Sequence, residues 1–295
     1  MTSFVRGHLA MLTFSLLIAG SFSFGTRVAN MMEPAALMAL RFMIAGCLVG
    51  IVAFATTGVR RADFQAPWRY LIVGGLFATY FGLMFEGLKT ATPVSAAAVF
   101  TLTPAITAVF AWFILGQVTN RWSVSAIVVG AVGALLVIFQ GDINAIKAFD
   151  VGRGEQIYFI GCVAHSLFIP LLRKFNRGEP VIVASLGMIV GGVLYLFLFG
   201  AHDLATTDWA ALPMLFWISL AYLAVFASAG TVFLLQYGAM NLPSANVMAY
   251  TYLTPIWVMC VEMMIAGTSP RPLVWLGIGA TIVALLMLLR RNQNV

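Results

Sequence analysis

The segment "VFTLTPAITAVFAWFILG", residues 99–116, recurs in outline as "YTYLTPIWVMCVEMMIAG", residues 250–267. Both copies place Leu-Thr-Pro within a long apolar stretch, and each ends on a glycine twelve residues after its proline. The copies are offset by 151 positions, and the same offset aligns Gly87 with Gly238. The repeated segment therefore indicates a chain built from two related halves.

The composition is that of an integral membrane protein. Of the 295 residues, 62% are hydrophobic and 9% are charged, whereas a soluble domain is about 45–50% apolar and about 25% charged. So few charged side chains could not cover the surface of a water-soluble domain. The net charge of +6 is explained by basic loops beside an anionic membrane surface, and no nucleic-acid partner is expected.

The length of the apolar runs predicts ten transmembrane spans. A spanning helix needs about 20 mainly apolar residues, because lipid offers no partner to exposed backbone groups. The predicted spans are residues 8–29, 34–57, 66–88, 92–115, 122–140, 154–173, 180–200, 209–238, 243–266 and 272–290. A longer polar segment, residues 140–156, separates spans five and six. We therefore predict a first five-helix repeat at 1–145 and a second at 146–295.

The loop charges orient the chain. With the amino terminus in the cytoplasm, ten of the 16 Lys and Arg lie on the inner side, five lie on the outer side, and Arg41 lies within a span. The positive-inside rule then places both termini in the cytoplasm. Because five spans per half is an odd number, the second half enters the membrane from the opposite side. The predicted fold class is an all-α integral membrane protein whose ten transmembrane helices form two inverted five-helix repeats, an arrangement typical of secondary transporters.

Three quoted segments carry a family resemblance. These are "GLKTATPVSAAAVFTLTPAITAVFAWFILGQ", its echo "GAMNLPSANVMAYTYLTPIWVMCVEMMIAG", and "PAALMALRF" at the start of span two. With the five-plus-five spans, the chain resembles the EamA family of the drug/metabolite transporter superfamily over essentially its whole length. The resemblance implies export or exchange of small metabolites, often amino acids, across a bacterial inner membrane.

Aromatic, hydroxyl and ionisable side chains inside the spans are candidates to line a cavity between the halves, bounded mainly by spans one, three, four, six, eight and nine. The predicted substrate-binding residues are Phe22, Arg41, Tyr80, Phe100, Thr101, His165, Phe168, Phe233, Gln236, Tyr250 and Tyr252. Such a cavity suits a small substrate with an apolar or aromatic body and a few polar groups. The alternative for any single Phe is packing or contact with lipid, since Phe is abundant throughout the chain.

The ionisable residues within spans allow several roles. Arg41 could bind a carboxylate of the substrate or of the protein, with Glu86 as one partner to consider. Glu86 and Glu262 lie near the outer ends of spans three and nine, where a side chain can reach the membrane interface. His165 could carry a proton, because its unperturbed pKa is close to physiological pH, or it could donate to a carbonyl. Proton coupling, exchange and facilitated transport all stay open.

The two Thr-Pro pairs are predicted to be hinges. A proline inside a helix removes a backbone hydrogen bond, but in a membrane bundle neighbouring helices and hydroxyl groups can satisfy the carbonyl it frees. Thr103 with Pro104 and Thr254 with Pro255 could then let an outer half-helix move against an inner one. The alternative is a static kink that shapes the cavity.

No motif indicates a metal ion, a cofactor or catalysis, and we predict that the chain is not an enzyme. The glycine patterns follow no strand and precede no Lys-Ser or Lys-Thr, so they are not phosphate loops. Cys47, Cys162 and Cys260 lack metal or disulfide spacing and are interpreted as small core residues. Small residues in spans five and ten allow close helix packing or a homodimer. The expected partners are a small-molecule substrate and membrane lipid. Alternative substrates are nucleosides, sugars and organic cations, and the alternative function is a membrane scaffold that does not transport.

Overall fold

A computed structural model describes residues 3–118, 120–139, 142, 151–267 and 272–290. In the first half the helices are α1 (Ser3–Val28), α2 (Pro34–Thr56), α3 (Trp68–Leu88), α4 (Pro93–Phe100), α5 (Thr103–Leu115) and α6 (Arg121–Ile138). In the second half they are α7 (Arg153–Phe175), α8 (Val181–Thr206), α9 (Met214–Ala224), α10 (Thr231–Asn241), α11 (Ser244–Ala249), α12 (Thr254–Ala266) and α13 (Pro272–Arg290). Each predicted span thus coincides with helix along most of its described length, and residue 140 of span five lies outside the described residues.

The described residues form nine helical stretches that are long and apolar enough to cross a membrane. A tenth, shorter apolar helix covers Pro272–Met287. Span four consists of α4 and α5, span eight of α9 and α10, and span nine of α11 and α12. The predicted class, an all-α integral membrane protein of two inverted five-helix repeats, is confirmed.

Spans four and nine are each broken immediately before the Thr-Pro pair. In span four, α4 ends at Phe100 and α5 begins at Thr103; in span nine, a tight turn over Tyr250–Leu253 leads into α12. Pro104 and Pro255 therefore stand in the first turn of a new helix, where a missing N–H costs little. The expectation that these prolines interrupt a helix from within is wrong, because the chain ends one helix and starts another.

The glycine repeated after each proline ends the second half-helix. Gly116 has a φ of 65° and Gly267 a φ of 63°, a left-handed conformation that L side chains rarely adopt. In each case the glycine N–H bonds back to a carbonyl of the last turn. The repeat in the sequence is thus a repeat of helix start and helix stop.

The two halves interlock along their lengths. The half-helix α4 packs against α12, while α5 packs against α11, and α3 packs against both α7 and α8. Spans five and ten also pair, as α6 with α13. A Cβ atom placed on Gly133 would lie 2.6 Å from the carbonyl oxygen of Gly277. The small residues of these two spans therefore serve close packing within the chain.

The cysteines are not all core residues. Cys162 is buried, as expected, but Cys47 and Cys260 are exposed on the outside of the helical bundle. The interpretation of all three as core residues is wrong for these two, because an apolar run in a membrane span does not reveal which side of the helix faces its neighbours.

Candidate functional site

Seven buried rings meet where the two halves join, and we call them the aromatic cluster. They are Phe22 on α1, Phe77 and Tyr80 on α3, Phe100 on α4, and Tyr158, His165 and Phe168 on α7. None of these side chains is more than 2% exposed. Since α7 belongs to the second half and the other helices to the first, the cluster is shared between the repeats.

His165 lies inside the cluster. Its ring centre is 4.3 Å from that of Tyr80, 5.4 Å from that of Phe100 and 5.7 Å from that of Phe168. Tyr80 and Phe100 are themselves stacked, with ring centres 5.6 Å apart. These separations are close to those of favourable aromatic pairs. The imidazole is therefore enclosed by aromatic rings contributed by both halves.

The cluster carries few polar atoms. The hydroxyl oxygens of Tyr80 and Tyr158 are 3.1 Å apart and share a hydrogen bond. Nδ1 of His165 is buried and has no hydrogen-bond partner among the described residues. Burying such a nitrogen without a partner costs free energy, so a polar group of a ligand there would be stabilising. Apolar walls with a few convergent polar atoms are typical of small-molecule sites.

The cluster contains five of the residues predicted from the sequence: Phe22, Tyr80, Phe100, His165 and Phe168. Sequence reasoning missed Phe77 and Tyr158. Helical spacing carries a signal for both, because Phe77 lies three residues before Tyr80, and Tyr158 lies seven residues before His165, so that each shares a helix face with a cluster residue.

The predicted residues of spans eight and nine lie elsewhere in this conformation. Phe233 is 39% exposed and stacks against Tyr237. The hydroxyl of Tyr250 is 2.8 Å from Nδ1 of His8. Tyr252 packs closely on Gly130 of α6.

Gln236 lines a separate small cavity at the ends of the helices that are predicted to face the cytoplasm, which we call the inner ends. The cluster is thus built from spans one, three, four and six.

The breaks in spans four and nine touch each other beside the cluster. Oγ1 of Thr103 donates to the carbonyl of Phe100 at 2.7 Å, and it lies 3.4 Å from Oγ1 of Thr251. Thr101 donates in the same way to the carbonyl of Ala98, at 2.6 Å. Ala98 also accepts from the main-chain N–H of Thr101 at 3.0 Å, so the threonine hydroxyls add hydrogen bonds to carbonyls at the break of span four. Oγ1 of Thr254 is buried without a described partner.

Arg41 is fully buried and lies beside the cluster, because the ring that it faces, Phe81, is 4.7 Å from the ring of Tyr80. Its Nε donates to the carbonyl of Leu223 at 3.1 Å, and its Nη2 donates to the carbonyl of Ala227 at 2.6 Å. The guanidinium carbon is 4.1 Å from the ring centre of Phe81, within cation–π range. Leu223 lies in the last turn of α9, and Ala227 lies in the wide helical turn over Val225–Gly230 that joins α9 to α10. Arg41 therefore ties span two to span eight.

The suggested pair between Arg41 and Glu86 is wrong. Oε2 of Glu86 is 2.6 Å from Nζ of Lys89, which lies three residues later in the chain. Glu262 does not simply extend to the interface either, because its two carboxylate oxygens accept from Nη1 and Nη2 of Arg27 at 3.0 and 3.2 Å. Both acids are thus held by basic residues, and Arg41 by main-chain carbonyls and an aromatic face.

Ion pairs join the halves on both sides of the cluster. At the outer ends, Arg27 of α1 pairs with Glu262 of α12. At the inner ends, Nη2 of Arg69, on α3, lies 2.6 Å from Oε1 of Glu179, which follows α7. Burial alone would raise the pKa of Glu179, but hydrogen bonds from Arg69 and from main-chain N–H groups outweigh it and hold that pKa below its usual range. The cluster is closed off at both ends in this conformation.

Ten spans in two inverted repeats, with a shared buried site and broken helices beside it, are the architecture of a membrane transporter. The sequence profile of the EamA-like transporter family matches residues 5–139 and again 152–290. The chain therefore belongs to the EamA-like transporter family, a family of membrane transporters in the drug/metabolite transporter superfamily.

Several relatives share most of the chain's length. The uncharacterized transporter YyaM of Bacillus subtilis (strain 168) is 27% identical over 284 residues, covering 94% of this chain and 91% of that protein. The WAT1-related protein At3g02690, chloroplastic, of Arabidopsis thaliana is 23% identical over 300 residues, covering 95% and 70%. A crystal structure, described only as that of a protein, superposes with a TM-score of 0.73 at 20% identity over 99% of both chains, and it shows the shared fold.

Proposed function

We propose that this chain is a secondary active transporter of a bacterial inner membrane that moves small amphipathic metabolites by alternating access. Amino acids with aromatic or other apolar side chains are the first candidates, and the expected direction is export. The aromatic cluster carries the proposal, because it is a buried site shared between inverted repeats. Both termini are expected in the cytoplasm.

The arrangement of contacts around the cluster supports alternating access. Arg27 with Glu262 holds the outer ends, and Arg69 with Glu179 holds the inner ends, so each side has a separate closure. Breaking one tie while the other persists would expose the cluster to one side at a time. The helix break before Thr103, which adjoins the cluster, gives a place where such a movement can occur.

The chemistry of the cluster favours a substrate with a flat apolar body. Such a body can pack against the rings of Tyr80, Phe100 and Phe168. The hydroxyls of Tyr80 and Tyr158 and Nδ1 of His165 can then bond to its polar groups. Since His165 is the titratable imidazole of this site, it is also our candidate for proton coupling.

A second candidate cargo is an organic cation. Aromatic faces attract cations, and a ring of them is a common site for ammonium groups. The described contacts of the cluster include several ring faces and no carboxylate. A cation would therefore be recognised by ring faces alone.

A counterflow assay in proteoliposomes tests the proposal. The purified protein is screened with labelled L-phenylalanine, L-leucine, phenylethylammonium and uridine. We expect exchange of phenylalanine that is lost in His165→Leu and retained in Phe233→Leu, since Phe233 is exposed outside the cluster. If another compound exchanges and no amino acid does, the substrate assignment fails. If the two variants behave alike, the cluster is not the site.

Cysteine labelling separates a transporter from a scaffold. Thr103→Cys and Thr254→Cys replace buried residues at the two helix breaks. A transporter exposes these positions to an impermeant maleimide from one side and then the other. A bundle that never opens leaves both positions unlabelled from either side, and that result would reject alternating access.

A further inference from the structure

A small cavity at the inner ends is lined in part by Gln236, whose side-chain nitrogen has no hydrogen-bond acceptor among the described residues. Its volume is about 20 Å³, and it is lined by residues of both halves, among them Arg69 on α3, Phe175 at the end of α7, Glu179 in the next loop and Gln236 on α10. We call Arg69, Glu179 and Gln236 the inner latch. The side chains of the ion pair are only 4% and 7% exposed. The latch is therefore a built site between the repeats, shielded from water.

Arg69 is held by four acceptors of two kinds. Its Nε donates to the carbonyl of Ala66 at 3.3 Å, Nη2 donates to that of Gln65 at 2.9 Å, and Nη1 donates to that of Phe175. The fourth acceptor is the carboxylate of Glu179, at 2.6 Å. The carbonyls are fixed by the main chain, whereas Glu179 can leave by rotating its side chain. The position of Glu179 is thus an exchangeable carboxylate position.

Gln236 has a donor that Glu179 does not satisfy. The side chain is 1% exposed, and its Nε2 has no acceptor among the residues the structure describes. The second oxygen of Glu179 is already occupied, because Oε2 accepts from the main-chain N–H of Arg177 at 2.8 Å. A free carboxylate could accept from Arg69 with one oxygen and from Gln236 with the other, which Glu179 does not do.

We propose that the inner latch is a carboxylate-binding subsite for the transported substrate. The carboxylate of the substrate replaces Glu179 on Arg69 and accepts a hydrogen bond from Gln236. This exchange releases the inner ends of the two halves from each other. The inference rests on the proposed function and adds to it that the cargo is a carboxylate, which the aromatic cluster alone does not require.

The cost of leaving Arg69 unpaired makes the latch selective. Removing one partner from a buried ion pair is strongly destabilising, because it leaves an uncompensated buried charge. A ligand without a carboxylate would open the latch only by leaving Arg69 as a buried charge without a counter-ion. Arg41 does not line this cavity, and its described partners are carbonyls, hydroxyls, a thioether and ring faces. Substrates lacking a carboxylate are therefore disfavoured at the cytoplasmic side.

The test compares L-phenylalanine with L-phenylalaninamide, which has the same ring and amine but no carboxylate. Exchange of both is measured in proteoliposomes for the wild type, Gln236→Leu and Glu179→Gln, with Glu86→Gln as the matched control on the outer ends. Gln236→Leu is expected to raise the KM for phenylalanine about tenfold, the value of one hydrogen bond to a charged group, and to leave the KM for the amide unchanged. Glu179→Gln is expected to lower the KM for phenylalanine, because its neutral side chain competes less well for Arg69.

Three outcomes would overturn the subsite. The first is equal effects of Gln236→Leu on both probes in a variant that retains the wild-type melting temperature. The second is no effect of either variant. The third is transport of the amide in preference to phenylalanine by the wild type. In each of these cases the wild type still exchanges some cargo, so the proposed transport function is retained. If the wild type exchanges none of the cargoes, the proposed function itself is rejected.

Discussion

Replacing Glu262 with Gln should shift the protein toward an outward-open state. The carboxylate of Glu262 accepts two hydrogen bonds from Arg27 across the outer ends of the two halves. The side chains are 24% and 16% exposed, so the pair is partly screened by solvent. An ion pair of this exposure and bidentate geometry contributes about 1 kcal/mol, and its loss corresponds to about a fivefold change in the closed-to-open ratio.

The assay for this shift is labelling of Thr254→Cys, which replaces a fully buried residue at the break of span nine. An impermeant maleimide added from the outside should react about fivefold faster in the Glu262→Gln background. Glu86→Gln is the control, because among the described residues its partner Lys89 pairs with Glu86 and Glu33, both in the first half. The charge-swapped protein, with Arg27→Glu and Glu262→Arg, should return the rate toward that of the parent. Equal labelling rates with and without the Arg27–Glu262 pair would show that this pair does not hold the outer side closed.

Three further predictions concern the two prolines, the Arg69–Glu179 ion pair and a glycine contact. Pro104→Ala or Pro255→Ala should leave membrane insertion intact, because each proline stands in a first helical turn. Each variant should nevertheless slow counterflow, and unchanged rates in both would reject the prediction that the Thr-Pro pairs are hinges. Because the pKa of Glu179 is held below its usual range, the stability that its carboxylate contributes should be complete above about pH 4.3 and should fall as the pH drops through the lowered pKa. Thermal unfolding in detergent between pH 7 and 3 should show this loss of stability in the wild type and a smaller loss in Glu179→Gln. Gly133→Leu should destabilise the α6–α13 contact by about 1–3 kcal/mol, since a Cβ there would lie 2.6 Å from a carbonyl oxygen. The control is Gly279→Leu, at a position with open space. Equal melting temperatures of the two variants would contradict close packing of α6 on α13.

The amino-acid sequence was sufficient to predict the class of this protein. Span number and repeat structure depend on local quantities, namely the length of apolar runs, the repeated Leu-Thr-Pro and the spacing to Gly116 and Gly267. Lipid imposes helical structure on any long apolar run, so these local quantities were sufficient for the all-α fold. The same signals indicated the positions of the helix breaks, although not that each proline begins a new helix.

Which side chains meet could be seen only in the folded structure. A span that is apolar on all sides does not reveal which face points inward, so Phe233 could not be separated from Phe100 in the sequence. Ion pairs such as Arg69 with Glu179 join residues 110 positions apart, and no periodicity relates them. The site and its closures depend on how the helices are rotated and packed, because in a membrane protein hydrophobicity specifies insertion while small residues, hydrogen bonds and close contacts specify the partners of each helix.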